Sequence, residues 1–467
     1  MPLNLQFCKT LKSMIRKFLG KVFSGRLFRP AASKVIPFKV HRIARDSISR
    51  CAATTCETLQ KNGHAAYVVG GAVRDLMLGG VPKDYDVATS ARPEQVRALF
   101  RRSRIIGRRF RLVHVMCGSD TIEVSTFRGS ADSTDGGSGE QATDEHGRIL
   151  RDNVFGSLED DARRRDFTIN ALFYDPVREE VLDYHSGVAD LKARRLRMIG
   201  EPELRFREDP VRMLRAARFA AALDFDIEPR TRKPIRAMAD LLRNVPPSRL
   251  FDEMMKFLLS GHAAEGVRRL RKEGLHHGLL PLLDVILEQP LGERFVMLAL
   301  DNTDKRVNSG KPVSPGFLFA ALLWHEVLAA WKQAESRGLN TMPALFHAMD
   351  QIGQVQAEKL AIPRRFGGDM KEIWAMQPRF ASRTGRRPYS LLQHMRFRAA
   401  FDFLLLRCES GEIDAEIGEW WEKFQRSDEV VRAAMLLKDS PGDARKRRRR
   451  PRSRKKPATA RPVTGPA

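Results

Sequence analysis

Two aspartates at alternate positions, Asp84 and Asp86, are the side chains of this sequence best placed to do chemistry. Residues two apart in an extended strand point to the same face of a sheet. Two carboxylates on one face are costly unless a cation neutralises them, and hard oxygen ligands suit Mg²⁺. The pair therefore predicts a divalent-metal site, although a D-x-D pair by itself is usually a solvated strand end.

A glycine pair, Gly70 and Gly71, lies upstream of the aspartates, between the apolar run 66–69 and a short helix-like segment that contains Arg74 and Asp75. Glycines let backbone N–H groups approach a phosphate closely, and a helix N-terminus favours an anion. A Gly-Gly pair alone is usually only a turn. Next to a metal site, however, it indicates phosphoryl or nucleotidyl transfer.

Glu123 is the candidate third carboxylate, because it lies in an alternating apolar–polar stretch that predicts a neighbouring strand. Asp120 is a competitor, but it follows a Gly-Ser pair that is typical of a hairpin turn. Three carboxylates can hold two Mg²⁺ ions, with Mn²⁺ as an alternative metal. One ion would activate an RNA 3′-hydroxyl, and the other would stabilise the pyrophosphate leaving group during in-line attack on the α-phosphate. No Ser/His/Asp or Cys/His arrangement in the sequence competes with this chemistry.

The charged stretch at residues 161–171 is a candidate for nucleotide contacts. Arg165 suits triphosphate oxygens because a guanidinium fork fits phosphate well. Asp161 and Asn170 suit ribose hydroxyls. The alternative is an ordinary surface salt-bridge network.

A second charged stretch, residues 207–218, contains Asp209 and Arg212 three positions apart on a predicted helix that begins near Pro210. An aspartate beside an arginine presents an acceptor and a donor. That pair matches the Watson–Crick edge of adenine or cytosine but not that of guanine or uracil. The protein would then select A or C without a nucleic-acid template. The alternative is a helix-capping aspartate in an i,i+3 ion pair.

The chain has 467 residues, a formal net charge of +25 and a pI of about 10.3. This excess predicts a polyanionic partner, nucleic acid first and an anionic membrane surface second. No apolar run reaches the roughly 18 residues that a transmembrane helix needs. The five cysteines have no metal-site spacing, so we expect reduced thiols in a cytoplasmic protein. We also expect the protein to be a monomer. The cysteines are Cys8, Cys51, Cys56, Cys117 and Cys408.

Periodicity predicts an α/β domain followed by an all-helical remainder. The expected divisions are a poorly ordered basic arm (1–44) with weak membrane-surface contact, an α/β domain (45–185), a helical neck (186–260), a helical RNA-binding body (261–430) and a disordered Arg/Lys-rich tail (431–467). Predicted strands are 66–69, 85–88, 112–117 and 121–127, with a flexible loop at 130–147. Predicted helices are 45–61, 92–101, 209–224, 231–242, 248–259, 263–273, 314–335, 342–360, 368–377, 388–409 and 413–425. The five tryptophans of the helical part are expected in the core.

The tail holds ten Lys or Arg residues within residues 445–456. It has no apolar stripe with which to fold alone. We expect it to contact RNA by neutralising phosphates, the alternative being a solubilising tail. The expected RNA contacts are Arg445, Lys446, Arg447, Arg448, Arg449 and Arg450.

The strings G-G-x-V-R-D, D-x-D, R-R-D-F-T-I-N and E-D-P-V-R-M-L-R, in this order, resemble the class II nucleotidyltransferases, which comprise tRNA CCA-adding enzymes and bacterial poly(A) polymerases. The resemblance implies a polymerase-beta-like palm (head) with a helical neck and body. It implies that Asp84, Asp86 and Glu123 are the catalytic metal ligands. Phosphate binding is implied for Gly70, Gly71, Arg74 and Asp75, ribose and triphosphate binding for Asp161, Arg165 and Asn170, and base selection for Glu208, Asp209 and Arg212.

Residues 105–115, the segment 388–407 and the Arg-rich tail are similar to the poly(A) polymerase branch of this class. The resemblance covers residues 43–425. It implies template-independent transfer of AMP from ATP to RNA 3′ ends with release of pyrophosphate, which promotes RNA decay with RNA-degradation factors as partners. No His-Asp dipeptide occurs, so the phosphohydrolase domain of some CCA-adding enzymes is not expected. CCA addition to tRNA is the alternative. A non-catalytic RNA-binding protein is a third hypothesis, against which the intact carboxylate set argues.

Overall fold

The computed structural model describes residues 33–107, 111–118, 120–129, 141–143, 149–152, 154–275, 290–360 and 362–437. The described residues group into two compact units. The first takes its residues from Met1–Pro246 and Glu265–Leu279, and the second from Pro247–Ala264 and Leu280–Ala467. The first unit combines a sheet with helices, and the described part of the second is built from helices. The predicted fold class is confirmed, while the finer division into palm, neck and body stays a prediction.

Among the described residues of the first unit, eight strands form one mixed sheet in the order β1-β10-β9-β2-β3-β6-β5-β4. Its strands are β1 (Lys34–Ile36), β2 (Ala66–Val69), β3 (Asp86–Thr89), β4 (Ser103–Ile106), β5 (Leu112–Cys117), β6 (Asp120–Thr126), β9 (Leu172–Asp175) and β10 (Glu180–Asp183). The β3–β6 pair is parallel, and the other neighbours are antiparallel. β9 is buried at every position, as expected for a central strand covered on both faces.

Two small sheets accompany the large one. β7 (Gln141–Thr143) pairs antiparallel with β8 (Ile149–Asp152), and β11 (Arg195–Leu196) pairs parallel with β12 (Asp226–Ile227). The β7–β8 pair falls partly within the loop predicted at 130–147. The rest of that loop, 130–140 and 144–147, lies outside the described residues.

The helices of the first unit lie between the strands or follow them. They are α1 (Phe38–His41), α2 (Arg50–Lys61), α3 (Gly71–Met77), α4 (Pro93–Leu99), α5 (Leu158–Arg164), α6 (Gly187–Lys192), α7 (Pro202–Glu208), α8 (Val211–Leu223), α9 (Pro229–Arg232) and α10 (Ile235–Met238), with short 3-10 turns at Arg45–Ser47, Thr168–Asn170 and Ala239–Asn244. α2 buries Ala52, Cys56 and Leu59, which share one helical face, and packs against β2 and β3.

The described helices of the second unit are α11 (Pro247–Leu258), α13 (Pro290–Asn308), α14 (Pro315–Ser336), α15 (Thr341–Leu360), α16 (Arg364–Met376), α17 (Arg387–Leu392), α18 (Phe397–Ser410), α19 (Ala415–Arg426) and α20 (Glu429–Met435), with a 3-10 turn at Gln377–Ala381. α12 (Ala263–Glu273) begins in the second unit and ends in the first. Throughout the described part of the chain, every helix is too short or too polar to span a bilayer.

The tryptophans of the second unit are largely core residues, as the sequence predicts. Trp324, Trp374 and Trp421 are almost fully buried, whereas Trp331 and Trp420 are partly buried. The three buried indoles all donate hydrogen bonds, for example from Trp421 Nε1 to the Phe380 carbonyl at 2.8 Å. A satisfied indole N–H is what burial of a tryptophan requires.

The prediction of a poorly ordered arm up to residue 44 is wrong for its last part. β1 pairs with β10 through Val35 and Leu182, and Ile36 and Ile43 are buried. The partner strand lies more than a hundred residues downstream, so no local pattern reveals the pairing. The tail is also shorter than predicted, because α20 continues to Met435.

Three helices that the sequence predicts as continuous are interrupted. The predicted helix at 45–61 is a 3-10 turn at Arg45–Ser47 followed by α2, which begins only at Arg50. The predicted helix at 231–242 is divided into short pieces around Pro234, which has no N–H to donate. The predicted helix at 388–409 is divided after Leu392. There the Arg396 N–H bonds to His394 Nδ1 at 3.2 Å, a local contact that competes with helix continuation.

The expectation of reduced thiols is wrong for one pair of cysteines. Cys51 of α2 and Cys117 of β5 form a disulfide, with Cα atoms 5.9 Å apart. This is an ordinary spacing for a disulfide, but it depends on how α2 packs on the sheet and not on sequence spacing. Cys56 and Cys408 are free, as expected, and Cys8 lies outside the described residues.

Candidate active site

The glycine pair connects the buried strand β2 to helix α3. Gly70 is the N-cap of α3 and has φ 70° and ψ −126°, a backbone conformation that essentially only glycine adopts without strain. A Cβ added at Gly70 would lie 3.3 Å from Arg165 Nη1. Glycine is therefore required here both for the turn and for the close approach of the Arg165 guanidinium.

Asp86 begins β3, and Asp84 lies in the segment that enters this strand. Both side chains line a cavity of about 740 Å³, called here the central cavity. It is lined by Gly70, Gly71, Ala72, Arg74, Asp75, Val81, Lys83, Asp84, Asp86, Arg165, Asp166, Asn170, Asp209, Arg212, Arg215, Arg218 and Phe219. The two aspartates therefore face one space together with six basic side chains, a mixture suited to a metal-bound polyphosphate.

Asp86 carries a carboxyl whose pKa is raised to about 6. Crowding by surrounding protein atoms is the largest cause, followed by the negative charge of Glu123, while Arg165 acts in the opposite direction. The residue remains solvent-accessible through the cavity, so the crowding removes only part of its hydration. A carboxylate in this state gains strongly from a cation.

Glu123 is opposite Asp86 in the parallel pairing of β3 with β6, which places both residues at the same level of the sheet. Its Oε1 lies 3.3 Å from His114 Nε2 on β5, and it does not line the central cavity. Asp120 is the first residue of β6, directly after the hairpin turn, as its sequence context predicts.

Within the described ranges, no three His, Cys, Asp or Glu side chains converge on a ready-made metal site. Mg²⁺ is commonly held by one or two protein carboxylates together with substrate phosphates and water. Asp84 and Asp86 fit that pattern, because both reach one cavity and Asp86 is destabilised as an anion.

Arg74 lies nearly buried at the floor of the cavity. Its Nη1 donates to Asn170 Oδ1 at 2.7 Å, and its Nε donates to Asp75 Oδ1 at 2.8 Å. Asn170 in turn donates to Asp166 at 3.2 Å. These bonds fix Arg74 and Asn170 relative to the glycine turn.

Asp166 is the next member of this network. It accepts hydrogen bonds from Arg215 Nε at 2.8 Å and from the Phe167 N–H at 2.8 Å. Burial opposes its charge, but the Arg215 ion pair and these hydrogen bonds outweigh burial and lower the pKa of Asp166 to about 2. Asp166 is therefore a charged anchor that joins the 3-10 turn at Thr168–Asn170 to helix α8.

Arg165 follows α5, a helix that begins with a capping box between Ser157 and Asp160. Its Nε and Nη2 both donate to Asp161 Oδ2, at 3.1 and 3.0 Å, and its guanidinium lies 4.9 Å from the Phe173 ring centre. Asp161 thus holds Arg165 in place and does not itself line the cavity.

The base-selecting candidates meet at the junction of α7 and α8. Asp209 and Arg212 both line the cavity, as their spacing predicts. Glu208 does not line it, but its Oε2 accepts from Arg212 Nη1 at 2.8 Å and from Arg205 Nη1 at 2.6 Å. Glu208 therefore orients Arg212.

Several cavity residues have no role assigned from the sequence alone, namely Lys83, Asp166, Arg215, Arg218 and Phe219. The guanidinium groups of Arg74, Arg215 and Arg218 lie 5.1, 5.2 and 4.4 Å from the Phe219 ring centre. One sequence signal for them exists, since Arg212, Arg215 and Arg218 recur every three residues along α8.

Most of the predicted catalytic and nucleotide-binding residues line the cavity. Asp161 and Glu208 instead support the lining residues Arg165 and Arg212, and Glu123 lies outside the lining with its side chain against His114. The predicted RNA contacts from Arg445 to Arg450 lie outside the described residues, as do positions 108–110 of the 105–115 string.

A cavity that combines a glycine turn, two aspartates at and just before the start of β3, and a cluster of arginines defines, with this sheet, a nucleotidyltransferase. Family models match the chain in three places. They are "Poly A polymerase head domain" over residues 66–197, "Probable RNA and SrmB- binding site of polymerase A" over 224–287, and "Polymerase A arginine-rich C-terminus" over 337–456.

The chain is 44% identical to Poly(A) polymerase I of Salmonella typhimurium, over 90% of this chain and 92% of the relative. It is 45% identical to Poly(A) polymerase I of Escherichia coli, over the same shares of both chains. The solved CCA-adding enzyme of Bacillus stearothermophilus in complex with CTP matches with a TM-score of 0.54 at 26% identity, over 80% of each chain. The chain belongs to the poly(A) polymerase I family, which confirms the family expected from the motifs.

Proposed function

We propose that this enzyme adds AMP from ATP to RNA 3′ ends without a template and releases pyrophosphate. One observation carries the proposal. A single cavity holds Asp84 and Asp86, the triphosphate candidate Arg165, and the base-selecting pair Asp209 and Arg212. These are the groups that a bound ATP needs at its two ends.

The triphosphate end of ATP is assigned to the glycine turn and Arg165. Gly70 brings its backbone beside the Arg165 guanidinium, whose orientation Asp161 fixes. A guanidinium held in this way binds phosphate oxygens with little loss of side-chain entropy. Arg215 and Arg218 add positive charge along the same cavity.

Asp84 and Asp86 would hold Mg²⁺, and Glu123 is proposed to join them from the neighbouring strand. Bound Mg²⁺ would neutralise the triphosphate and activate the RNA 3′-hydroxyl for in-line attack on the α-phosphate. Asp86 gains from a bound cation, since burial and the negative charge of Glu123 raise its pKa to about 6.

The adenine end of ATP is assigned to Asp209 and Arg212. The carboxylate accepts from the exocyclic amine, and the guanidinium donates to the neighbouring ring nitrogen. Glu208 holds Arg212 through a 2.8 Å bond. No RNA template is needed for this selection.

RNA binding is assigned to the helical body predicted over residues 261–430 and to the basic tail. The matches to an RNA-binding segment at 224–287 and to an arginine-rich C-terminus at 337–456 support this assignment. We propose that the added tails promote RNA decay and that RNA-degradation factors are partners. The basic C-terminal tail of the protein would bind RNA of any sequence by neutralising phosphates.

CCA addition to tRNA is the second candidate, because the Asp209–Arg212 pair fits cytosine as well as adenine and a solved CCA-adding enzyme shares the fold. The test is to incubate the purified chain and Mg²⁺ with each nucleoside triphosphate, on unstructured RNA and on tRNA that lacks its CCA end. We expect long ladders from ATP on unstructured RNA, with one pyrophosphate for each AMP added. CTP and ATP incorporation that stops at three residues on tRNA alone would overturn the proposal.

A further inference from the structure

Arg205 of helix α7 has no role in the predicted site, yet it contacts both the triphosphate-binding residue Arg165 and the base-selecting residue Arg212. Its side chain is only 12% exposed. Its Nη2 donates to the carbonyl oxygens of Arg164 at 2.6 Å and Arg165 at 2.8 Å. The guanidinium therefore holds the backbone of the residue whose side chain faces the triphosphate.

Arg205 also contacts the base-selecting residues Glu208 and Arg212. Arg205 Nη1 donates to Glu208 Oε2 at 2.6 Å, and the Arg205 carbonyl accepts from Arg212 Nη1 at 2.8 Å. Arg212 Nη1 bonds to the same Glu208 oxygen at 2.8 Å. Arg205 thus links Arg165 to Arg212 by direct hydrogen bonds, although these residues are distant in sequence.

The close approach of the partly buried Arg205 and Arg212 guanidinium groups is electrostatically unfavourable. Burial, and then the positive charge of Arg212, lower the pKa of Arg205 to about 10, so Arg205 stays protonated at neutral pH. Glu208 is the carboxylate shared by both guanidinium groups. Buried charge clusters of this kind contribute little net stability, and their best-attested use is to fix one arrangement.

The Asp209–Arg212 pair matches the hydrogen-bonding edges of both adenine and cytosine, so another property must distinguish ATP from CTP. A purine is longer than a pyrimidine, and its Watson–Crick edge lies further from the ribose. With the triphosphate held at Arg165, the position of Arg212 then decides which base reaches it. A rigid connection between the two sites converts base length into selectivity.

We propose that Arg205 is a positioning residue that fixes the separation between the triphosphate-binding Arg165 and the base-selecting Arg212, and thereby sets the preference for ATP over CTP. The inference rests on the proposed function, because it requires that both residues bind one nucleotide. It adds a determinant of nucleotide choice that the Asp209–Arg212 pair does not supply.

The first test compares Arg205→Met with Arg207→Met, which makes the same change at an exposed position of the same helix. Measured on unstructured RNA, the ratio of kcat/KM for ATP to that for CTP should fall at least about tenfold in Arg205→Met, a change of about 1.4 kcal/mol in selectivity. It should stay within about twofold in Arg207→Met. A ratio within about twofold of the wild type in Arg205→Met overturns the inference. A wild-type protein that incorporates no AMP overturns the proposed function instead.

A second test asks whether Arg205 acts through Arg212. In an Arg212→Met background, Arg205→Met should change the ATP:CTP ratio by less than about twofold, because the residue that it positions is already gone. A full tenfold effect in that background contradicts the inference. A purely structural role would lower the rates for both nucleotides alike and leave the ratio unchanged.

Arg205→Lys provides a variant that keeps the charge if the methionine variant does not fold. A lysine ammonium can pair with Glu208, but it lacks the planar fork that reaches two carbonyls and the carboxylate together. A soluble Arg205→Lys protein is expected to lose selectivity for ATP. A wild-type ratio in that protein overturns the inference.

Discussion

Replacement of Asp166 by asparagine should destabilise the first unit through loss of one buried charge. The Asp166 side chain is 10% exposed and that of Arg215 is 30% exposed, with 2.7 Å between Arg215 Nη2 and Asp166 Oδ2. The pKa of Asp166 is lowered from its ordinary 3.8 to about 2. This difference corresponds to about 2 kcal/mol of stability at neutral pH. Asparagine keeps the shape of the side chain but not the charge.

The pH dependence follows from the direction of that pKa change. A carboxyl with a lowered pKa in the folded state stabilises the fold above its unfolded pKa, and this contribution disappears as the pH falls through the folded pKa. The difference between wild type and Asp166→Asn should therefore be about 2 kcal/mol at pH 7 and about half of that at pH 3. Urea denaturation followed by circular dichroism measures both values.

Asp224→Asn is the matched control, because Asp224 pairs with Arg194 on the surface, with side chains 81% and 62% exposed. Asparagine also tolerates the left-handed backbone of this position, where φ is 53°. The control should lose less than about 0.5 kcal/mol. A stabilising role for the Asp166 charge is excluded if Asp166→Asn loses no more stability than the control, or if its loss is the same at pH 3 as at pH 7.

Three further predictions concern the glycine turn, the disulfide and the tail. Gly70→Ala should lower the free energy of unfolding by about 1–3 kcal/mol and raise the KM for ATP. The control Gly79→Ala, where φ is also positive but nothing lies within 4 Å, should leave that KM unchanged, and equal KM effects in titrations of ATP would contradict the role of the Arg165 contact. In urea denaturation, the oxidised chain should be about 2–4 kcal/mol more stable than the reduced chain, and Cys51→Ser should abolish this effect of reductant. A wild-type protein whose stability does not change with reductant would argue against the disulfide. Deleting residues 445–456 should weaken RNA binding and flatten its salt dependence without changing the KM for ATP, and an unchanged salt slope in filter binding would leave the tail as a solubility device.

The parts of the fold that the sequence predicts well are those with a local signal. The Gly70–Gly71 turn, β2, β5 and α8 have apolar runs or helical periodicity within a few residues, and the structure has them at or within about two residues of the predicted bounds. The same holds for Asp84 and Asp86, whose alternation together with the upstream glycine pair predicts a shared site.

The parts that could not be predicted depend on contacts between distant segments. The pairing of β1 with β10 and the disulfide between Cys51 and Cys117 exist only once the sheet has formed. The supporting roles of Asp166 and Arg205 likewise follow from neighbours more than thirty residues away. A single sequence shows these side chains as ordinary charged residues, because nothing local distinguishes a buried ion pair from a solvated one.

Asp86 is assigned a direct part in AMP transfer to RNA, and the rate of RNA extension by an Asp86 variant tests that assignment. Extension of unstructured RNA with α-labelled ATP and Mg²⁺ is compared between the wild type, Asp86→Asn, and Asp120→Asn as a control at the neighbouring hairpin. Asp86→Asn, with unchanged circular dichroism, should add AMP at less than about a thousandth of the wild-type rate, while Asp120→Asn should stay within about twofold. Normal extension of RNA by a folded Asp86→Asn protein would contradict a catalytic role for Asp86.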